Sequence, residues 1–565
     1  MSMAPGDVAD PVSGSRQGSM VYVLLLALVA ALGGLLFGYD TAVISGAIGF
    51  LRLHFELDPQ YATGWAAACA LLGCAIGAAL AGVASDRLGR RRVLLLSAVA
   101  FFVSALGTAL PRNFAEFIVF RMIGGLGIGA ASMSSPMYIA EISPARVRGR
   151  MVSINQLAIV SGMVIVYFVN FAIAELGAAR DRQAIAGLES AAEGLDPEFA
   201  RQFIARYAPR LPQTDPPAVA SLLAQPGGLD SRRLAAFLKE HDVAVEPETV
   251  EVVRRGQTPW NERLGWRWMF GSGALPAMLL LVLLMFVPES PRFLTKQGRS
   301  AEALAVLQRV GGTEAARREL ADIQNTLARE AGSLAALFQP GLRVVFLIGV
   351  VLAILQQVTG INVFLYFAPE IFKKMGAGTH AALLQTVLVG TVNMLFTIVA
   401  IWTVDRWGRK PLMLVGFTGM GLCLVAMGLA AYFQRTEVWA LLFILGYIAC
   451  FALSVGPVTW VILSEIFPTG IRGRAMAVAT VCLWVANFVV TQTFTMMDES
   501  PWLVATFHRA FPFWLYAALC AVAVAFVGGL VPETKGKSLE EIERGWLALA
   551  GATAALPPAG PPRYH

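Results

Sequence analysis

Polar and apolar positions in this chain fall into long blocks rather than the short alternations of a soluble domain. Apolar stretches recur from Val21 to Leu530, separated mostly by short loops rich in Arg and Lys. An α-helix rises about 1.5 Å per residue, so about 20 residues cross a hydrocarbon core about 30 Å thick. The pattern predicts twelve spans, at 21–50, 61–84, 91–110, 114–140, 151–175, 266–287, 342–373, 381–403, 411–433, 437–464, 473–497 and 510–531. The predicted fold class is therefore an all-α membrane protein with twelve transmembrane helices. The polar first 20 residues are expected to be a disordered terminus. The run from Val21 is too long for a signal-peptide core and is expected to stay as span 1.

The chain also repeats itself. Asp86-Arg87-Leu88-Gly89-Arg90-Arg91 returns as Asp405-Arg406-Trp407-Gly408-Arg409-Lys410. Glu141 followed by Arg148-Gly149-Arg150 returns as Glu465 followed by Arg472-Gly473-Arg474, and Pro288-Glu289-Ser290 as Pro532-Glu533-Thr534. Each copy follows the equivalent span of its half, so two pseudo-symmetric six-helix halves are predicted. Repeats of this kind place a substrate site between the halves. From Glu141 to Pro288 is 147 residues, whereas from Glu465 to Pro532 is 67, so the first half carries 80 more. The surplus lies in a polar segment, 176–264, where stretches such as Asp230 to His241 have helical periodicity. The expected organisation is a terminus at 1–20, helices 1–5 at 21–175, and an extracytoplasmic, mostly helical insertion at 176–264. Helix 6 follows at 265–288, cytoplasmic linker helices at 289–340, helices 7–12 at 341–532 and a cytoplasmic tail at 533–565. The linker pattern predicts helices at 300–310 and 314–331.

Composition agrees with this reading. Hydrophobic residues make up 56% of the chain and charged residues 15%, against about 25% charged in an ordinary soluble domain. Mean hydropathy is +0.63. The net charge of +6 would suggest nucleic acid in a soluble protein. Here the basic residues sit at helix ends, in the loops after spans 2, 4, 8 and 10. These loops share one side, and basic loops stay cytoplasmic, so both termini are expected inside a plasma (inner) membrane. The six cysteines all lie within apolar runs without metal-ligand spacing, so no disulfide and no metal is expected.

Two charges fall inside predicted spans. Asp40 is about 15 Å from the end of span 1 by helical rise, and Arg121 about 10 Å from the start of span 4, so their depths match. An ionisable residue in hydrocarbon costs at least a few kcal/mol and marks a functional position. An Asp–Arg pair that forms and parts would couple protonation to a conformational change; a static pair would fix helix packing. At the basic loops, Asp86, Arg90, Glu141, Arg148, Asp405, Arg409, Glu465 and Arg472 are expected to form cytoplasmic gate ion pairs between the halves when that side is shut.

Several motifs together resemble the sugar porters of the major facilitator superfamily. They are Gly34-Leu35-Leu36-Phe37-Gly38-Tyr39-Asp40, Arg121-Met122-Ile123-Gly124-Gly125, Pro136-Met137-Tyr138-Ile139-Ala140-Glu141, Pro288-Glu289-Ser290-Pro291-Arg292, Gln356-Gln357 with Gly360-Ile361-Asn362, and Pro532-Glu533-Thr534-Lys535-Gly536. The likeness runs from about Val21 to Ile542, apart from the insertion. It implies that Gln156, Gln356, Gln357, Asn362, Tyr366, Asn393, Trp460 and Trp484 contact a sugar. Amide side chains both donate and accept, as sugar hydroxyls do. Gly360 and Gly456-Pro457 are expected to break their helices near mid-membrane. Met163 and Leu483 depart from the pattern of the family's bacterial xylose symporters, which have glutamines there. Asp40 resembles the proton-coupled members, since facilitative glucose transporters of the family have no acid there.

The resulting expectation is a secondary transporter that imports a monosaccharide, pentose or hexose, with a proton. A facilitative uniporter and a transport-inactive sensor stay open as alternatives. The expected partners are the sugar, the proton and the bilayer, with no nucleic acid, no cofactor and a monomeric chain. The sequence shows no phosphate-cradling loop and no catalytic cluster, so no enzyme is expected.

Overall fold

A computed structural model describes residues 19–144, 147–186, 195–208, 216–223, 229–241, 243, 245–254, 256–329, 342–434, 437–467 and 472–535. The predicted terminus, apart from Ser19 and Met20, and the tail beyond Lys535 lie outside these residues. Among them every regular element is a helix. Helices satisfy all backbone hydrogen bonds within one segment, as a bilayer demands.

The twelve spans are Met20–His54, Ala62–Leu88, Arg90–Ala109, Phe114–Ile142, Arg148–Gln183, Asn261–Met285, Leu342–Tyr366, Thr379–Val404, Arg409–Tyr432, Trp439–Ile466, Gly473–Asp498 and Phe511–Leu530. They are numbered 1 to 12 below. Capping sets several of their starts. Ser19 closes the first turn of span 1, its hydroxyl accepting from Tyr22 N at 3.3 Å. Asn113 does the same for span 4 by accepting from Glu116 N at 2.9 Å. Ser19, predicted as disordered, is therefore a cap, and its N–H donates to the Arg309 carbonyl of the linker at 3.1 Å.

The structure corrects two helix boundaries. Span 5 does not stop at 175; its helix continues to Ala186, about three turns further. The added residues include two Arg, an Asp and a Gln, but four of them are Ala, the strongest helix former. Apolar patterning marks where the bilayer ends, not where the helix ends. The second correction concerns span 10. Gly456-Pro457 does not break it. A π-helical turn at Phe451–Val455 absorbs the proline's missing donor and the α-helix resumes at Gly456.

Span 7 does break, as expected. Its helix runs from Leu342 to Val358, turns at Gly360 and restarts at Ile361–Tyr366. Gly360 has φ +91° and N–H donating to the Gln357 carbonyl at 3.0 Å. A Cβ there would also meet Tyr516 Cδ2 at 2.6 Å. Tyr447 Oη donates to the Thr359 carbonyl at 2.9 Å and so satisfies a group the break exposes. Gly360→Ala is expected to cost about 1–3 kcal/mol through the left-handed φ, with the Tyr516 clash adding to it. A fluorescence-detected melting curve that shows no loss of stability would contradict this.

The insertion forms its own small unit. Described helices run Pro197–Tyr207, Pro216–Leu223, Ser231–Glu240 and Pro247–Arg254. They bury Phe203, Ile204, Leu222, Leu234, Leu238 and Val250 in a core separate from that of the spans. Leu53 of span 1 packs against this core. Arg206 pairs with the buried Glu262 at 3.2 Å, and Tyr207 donates a hydrogen bond to the same carboxylate. Trp260 N donates to the Asp181 carboxylate at 3.1 Å and 3.2 Å. These contacts fasten the insertion to the first half. The linker between the halves folds as Pro291–Lys296, Ser300–Gly311 and Thr313–Arg329.

Candidate functional site

The two intramembrane charges meet. Arg121 Nη1 donates to Asp40 Oδ2 at 3.3 Å and to the Asp40 backbone carbonyl at 3.1 Å. The Arg121 side chain is 2% exposed and that of Asp40 14%. The guanidinium also sits 5.5 Å from the centre of the Phe270 ring. Close helix approach makes the pair possible: a Cβ on Gly124 would lie 3.1 Å from Asp40 Oδ2 and strike Ser104. Arg121 thus holds three favourable contacts, of which only one depends on the carboxylate.

The amides of span 7 form a chain beside its break. Asn362 Nδ2 donates to Gln357 Oε1 at 2.6 Å. Gln357 Nε2 reaches Gln356 Oε1 at 3.4 Å. Gln356 Nε2 donates to the carbonyls of Val455 and Gly456, at 3.3 Å and 3.1 Å, at the π-helical turn of span 10. The turn therefore does more than accommodate Pro457: it presents carbonyls that lock one amide in place. Tyr366 is buried, and its hydroxyl accepts from Asn487 Nδ2 at 3.5 Å.

Asn393 is buried and points Nδ2 at Met163 Sδ, 3.9 Å away. The unusual Met163 therefore stands beside a predicted sugar amide. Trp484 is buried, its ring lies 5.5 Å from that of Phe37 of the opposite half, and its indole N–H has no partner among the described residues. Gln156 and Trp460 are half-buried and make no side-chain hydrogen bond among the described residues. Asn487, which also accepts from Thr491, was missed by sequence reasoning, because one amide in an apolar helix carries no spacing signal.

The basic loops obey the internal repeat closely. Arg90 contacts Glu141 at 3.0 Å, and Arg409 contacts Glu465 at 3.0 Å. Glu289 accepts from Arg91 N at 3.1 Å, while Glu533 accepts from Arg409 N and Lys410 N at 3.1 Å and 3.0 Å. The two glutamates thus cap spans 3 and 9, whose first donors lack intrahelical partners. For Glu533, burial alone would raise the pKa, but the backbone N–H groups of Lys535, Arg409 and Lys410 outweigh it and hold the carboxyl below its ordinary range. Asp86 pairs with Arg90 at 3.5 Å and Lys296 at 3.2 Å. Arg148 reaches Glu319 of the linker at 3.0 Å, not Glu141. The expectation of pairs between halves is thus replaced here by pairs that Glu141 and Glu465 make within their own half. The side chains of Asp405 and Arg472 lie outside the described residues.

The face bearing the insertion is where the halves join. Tyr167 Oη donates to the Leu365 carbonyl at 2.8 Å, and Thr495 Oγ1 to the Gln60 carbonyl at 3.0 Å. His380 Nδ1 lies 2.7 Å from Glu175 Oε1. A small cavity of about 30 Å³ lies between Ile48, Arg52, Phe367 and Glu370. Lys374 binds both Asp498 and Glu499.

Glu370 sits at the centre of this seal, 3.0 Å from Lys373 and beside Arg52 of the other half. Burial pushes its pKa up, but Lys373 and Arg52 outweigh burial and hold it below the usual value. A carboxylate with a depressed pKa stabilises its state above the ordinary carboxylate range and loses that contribution as pH falls through the lowered value. Glu370→Gln is accordingly expected to loosen the seal at neutral pH. Spin labels at the exposed Tyr61 and Trp502 should move apart in the variant; an unchanged distance distribution would contradict this.

Comparison with known proteins follows the same lines. The family described as sugar (and other) transporter matches residues 26–191 and 252–546, skipping the core of the insertion. The D-xylose-proton symporter of Escherichia coli is 40% identical over 93% of this chain and 96% of its own. The arabinose-proton symporter of Bacillus subtilis is 36% identical over 97% of this chain and all of its own. The xylose transporter of E. coli in a partially occluded, inward-open conformation superposes with a TM-score of 0.69. It is 38% identical and covers 92% of this chain and 100% of its own. By sequence match, twelve apolar helices and twofold-repeated architecture, the chain belongs to the sugar transporter family of multi-pass membrane proteins.

Proposed function

We propose that this protein is a secondary active transporter that imports a monosaccharide together with a proton by alternating access. The observation that carries the reading is the buried Asp40–Arg121 pair between spans 1 and 4. A charge without a partner in a dry site is costly, so Asp40 parted from Arg121 is stable there only as the neutral acid. Parting and re-forming the pair ties proton uptake and release to the movement of span 1 against span 4. The relatives named as proton symporters for xylose and arabinose support the same reading.

In this proposal Gln156, Gln356, Gln357, Asn362 and Asn393 take the sugar hydroxyls, while Trp460 and Trp484 cover the apolar C–H face. The partnerless N–H of Trp484 is one donor left over for a hydroxyl. The basic loops face the cytoplasm of a bacterial inner membrane with both termini, and the insertion face is external. The structure is then a state closed to the outside, with the cytoplasmic acids Glu141 and Glu465 held within their own halves. Because Met163 stands where a glutamine would bind a hydroxyl, pentose and hexose are both admitted as substrates. Proton-driven uptake against counterflow in proteoliposomes, comparing wild type with Asp40→Asn, tests the proposal.

A further inference from the structure

Between the insertion and the sealed face of the spans lies a cavity of about 980 Å³. Pockets that hold small ligands measure about 300–1,000 Å³, so a monosaccharide fits with room for water. The family match skips 192–251, the segment that supplies most of the cavity's roof. That roof has its own apolar core and is anchored through Glu262, Tyr207 and Arg206, so it is a built wall and not a loose loop.

The cavity's floor is the seal itself. Arg52 of the first half and Glu370, Lys373 and Lys374 of the second line it, and the cross-half contacts Tyr167–Leu365 and Thr495–Gln60 close the face around them. A ligand in the chamber and a ligand at the span 7 amides are therefore held apart, and both sites can be filled at once.

The wall chemistry selects the ligand class. Arg182 and Arg509 share the lining with Glu246 and Glu248. A permanently charged ligand would meet both signs. A neutral polyhydroxyl ligand uses both, since each hydroxyl donates to a carboxylate and accepts from a guanidinium. Phe50 adds aromatic surface for a C–H face. We infer that the insertion encloses a second, external site for a neutral monosaccharide, occupied ahead of the closed gate. The inference rests on the sugar-transport reading for the identity of the ligand.

The test is sugar binding to the purified full-length protein, with D-xylose and D-glucose as probes, by calorimetry and saturation-transfer NMR. Wild type is expected to show two sites of different affinity. Gln357→Ala should weaken the tight one and leave the weak one within about twofold. Adding Ala178→Trp, which fills the chamber from span 5, should cut the weak signal at least about tenfold. Arg182→Ala with Glu248→Ala, both exposed and tolerant of truncation, should cut it at least about fivefold if the walls bind hydroxyls. A Gln357→Ala protein with no residual sugar signal overturns the chamber, as does a residual signal that neither set of changes alters. Weak binding that responds to the chamber changes in a protein whose binding Gln357→Ala does not touch would instead remove the central site and keep the chamber.

Discussion

Asp40→Asn is expected to abolish accumulation of sugar driven by a pH gradient while sparing counterflow. A one-unit gradient offers about 1.4 kcal/mol per proton, enough for about tenfold accumulation at one proton per sugar. The variant should equilibrate at a ratio of one whatever the gradient. Counterflow should stay within about threefold of wild type, and the structure says why. Truncating one partner of a buried ion pair ordinarily leaves a bare charge and costs about 3–5 kcal/mol. Arg121 is not left bare here, because its Nη1 keeps the backbone carbonyl of residue 40 at 3.1 Å and its guanidinium keeps the Phe270 ring. An amide oxygen also replaces Oδ2 at the same place. The half-to-half movement therefore survives while the titrating group is gone. Variant accumulation that still follows the gradient would make the pair a packing device and the protein a symporter by some other acid. Wild-type protein that never accumulates sugar above unity would be a facilitator.

Much of this arrangement was legible in the chain because the bilayer imposes a strict rule. Apolar length gave the spans, and the return of Asp86-Arg87-Leu88-Gly89-Arg90 as Asp405-Arg406-Trp407-Gly408-Arg409 gave the halves. The matched contacts Arg90–Glu141 and Arg409–Glu465 show that this repeat is one piece of architecture used twice. The depth argument that paired Asp40 with Arg121 worked because helical rise is constant. What could not be read were features that depend on a partner elsewhere in the chain. Glu370, Lys374, Asp498 and Glu499 lie near span ends, where charges ordinarily meet water; nothing local reveals that they are packed into a seal. Glu289 and Glu533 read as loop acids, yet each caps a helix almost 200 or more than 120 residues away in sequence. The π-helical turn of span 10 is a third case. A glycine–proline pair signals disturbance, but nothing local tells a break from a bulge; the helix bulges, and Gln356 of span 7 donates to the Val455 and Gly456 carbonyls beside the turn. The overhang of span 5 was hidden for the opposite reason, since helix propensity outlasts hydropathy there.

Gln357→Ala is expected to weaken sugar binding about 10- to 100-fold and leave the fold nearly untouched. The asymmetry with its neighbour makes the prediction specific. Gln357 accepts from Asn362 at 2.6 Å and reaches only another side chain, Gln356, at 3.4 Å. Removing it frees Asn362 to turn away, so two hydroxyl partners are lost at once. A hydrogen bond between neutral groups contributes about 0.5–1.5 kcal/mol, so two account for about 1–3 kcal/mol, about 5- to 150-fold, which brackets the expected loss. Gln356 is tied to backbone instead. Its truncation removes a donor to the Val455 and Gly456 carbonyls, of which Val455 keeps the Thr459 hydroxyl at 2.8 Å, at about 0.5–1.5 kcal/mol per hydrogen bond lost, and should lower thermal stability along with affinity. Binding titrations and melting curves on the two variants separate these roles. Asp40 and Arg121 are unaltered in both, so whatever uptake remains should still follow the pH gradient. Equal losses of stability in the two variants would show that Gln357 is scaffold, and would move the hydroxyl contacts to Asn393 and Gln156.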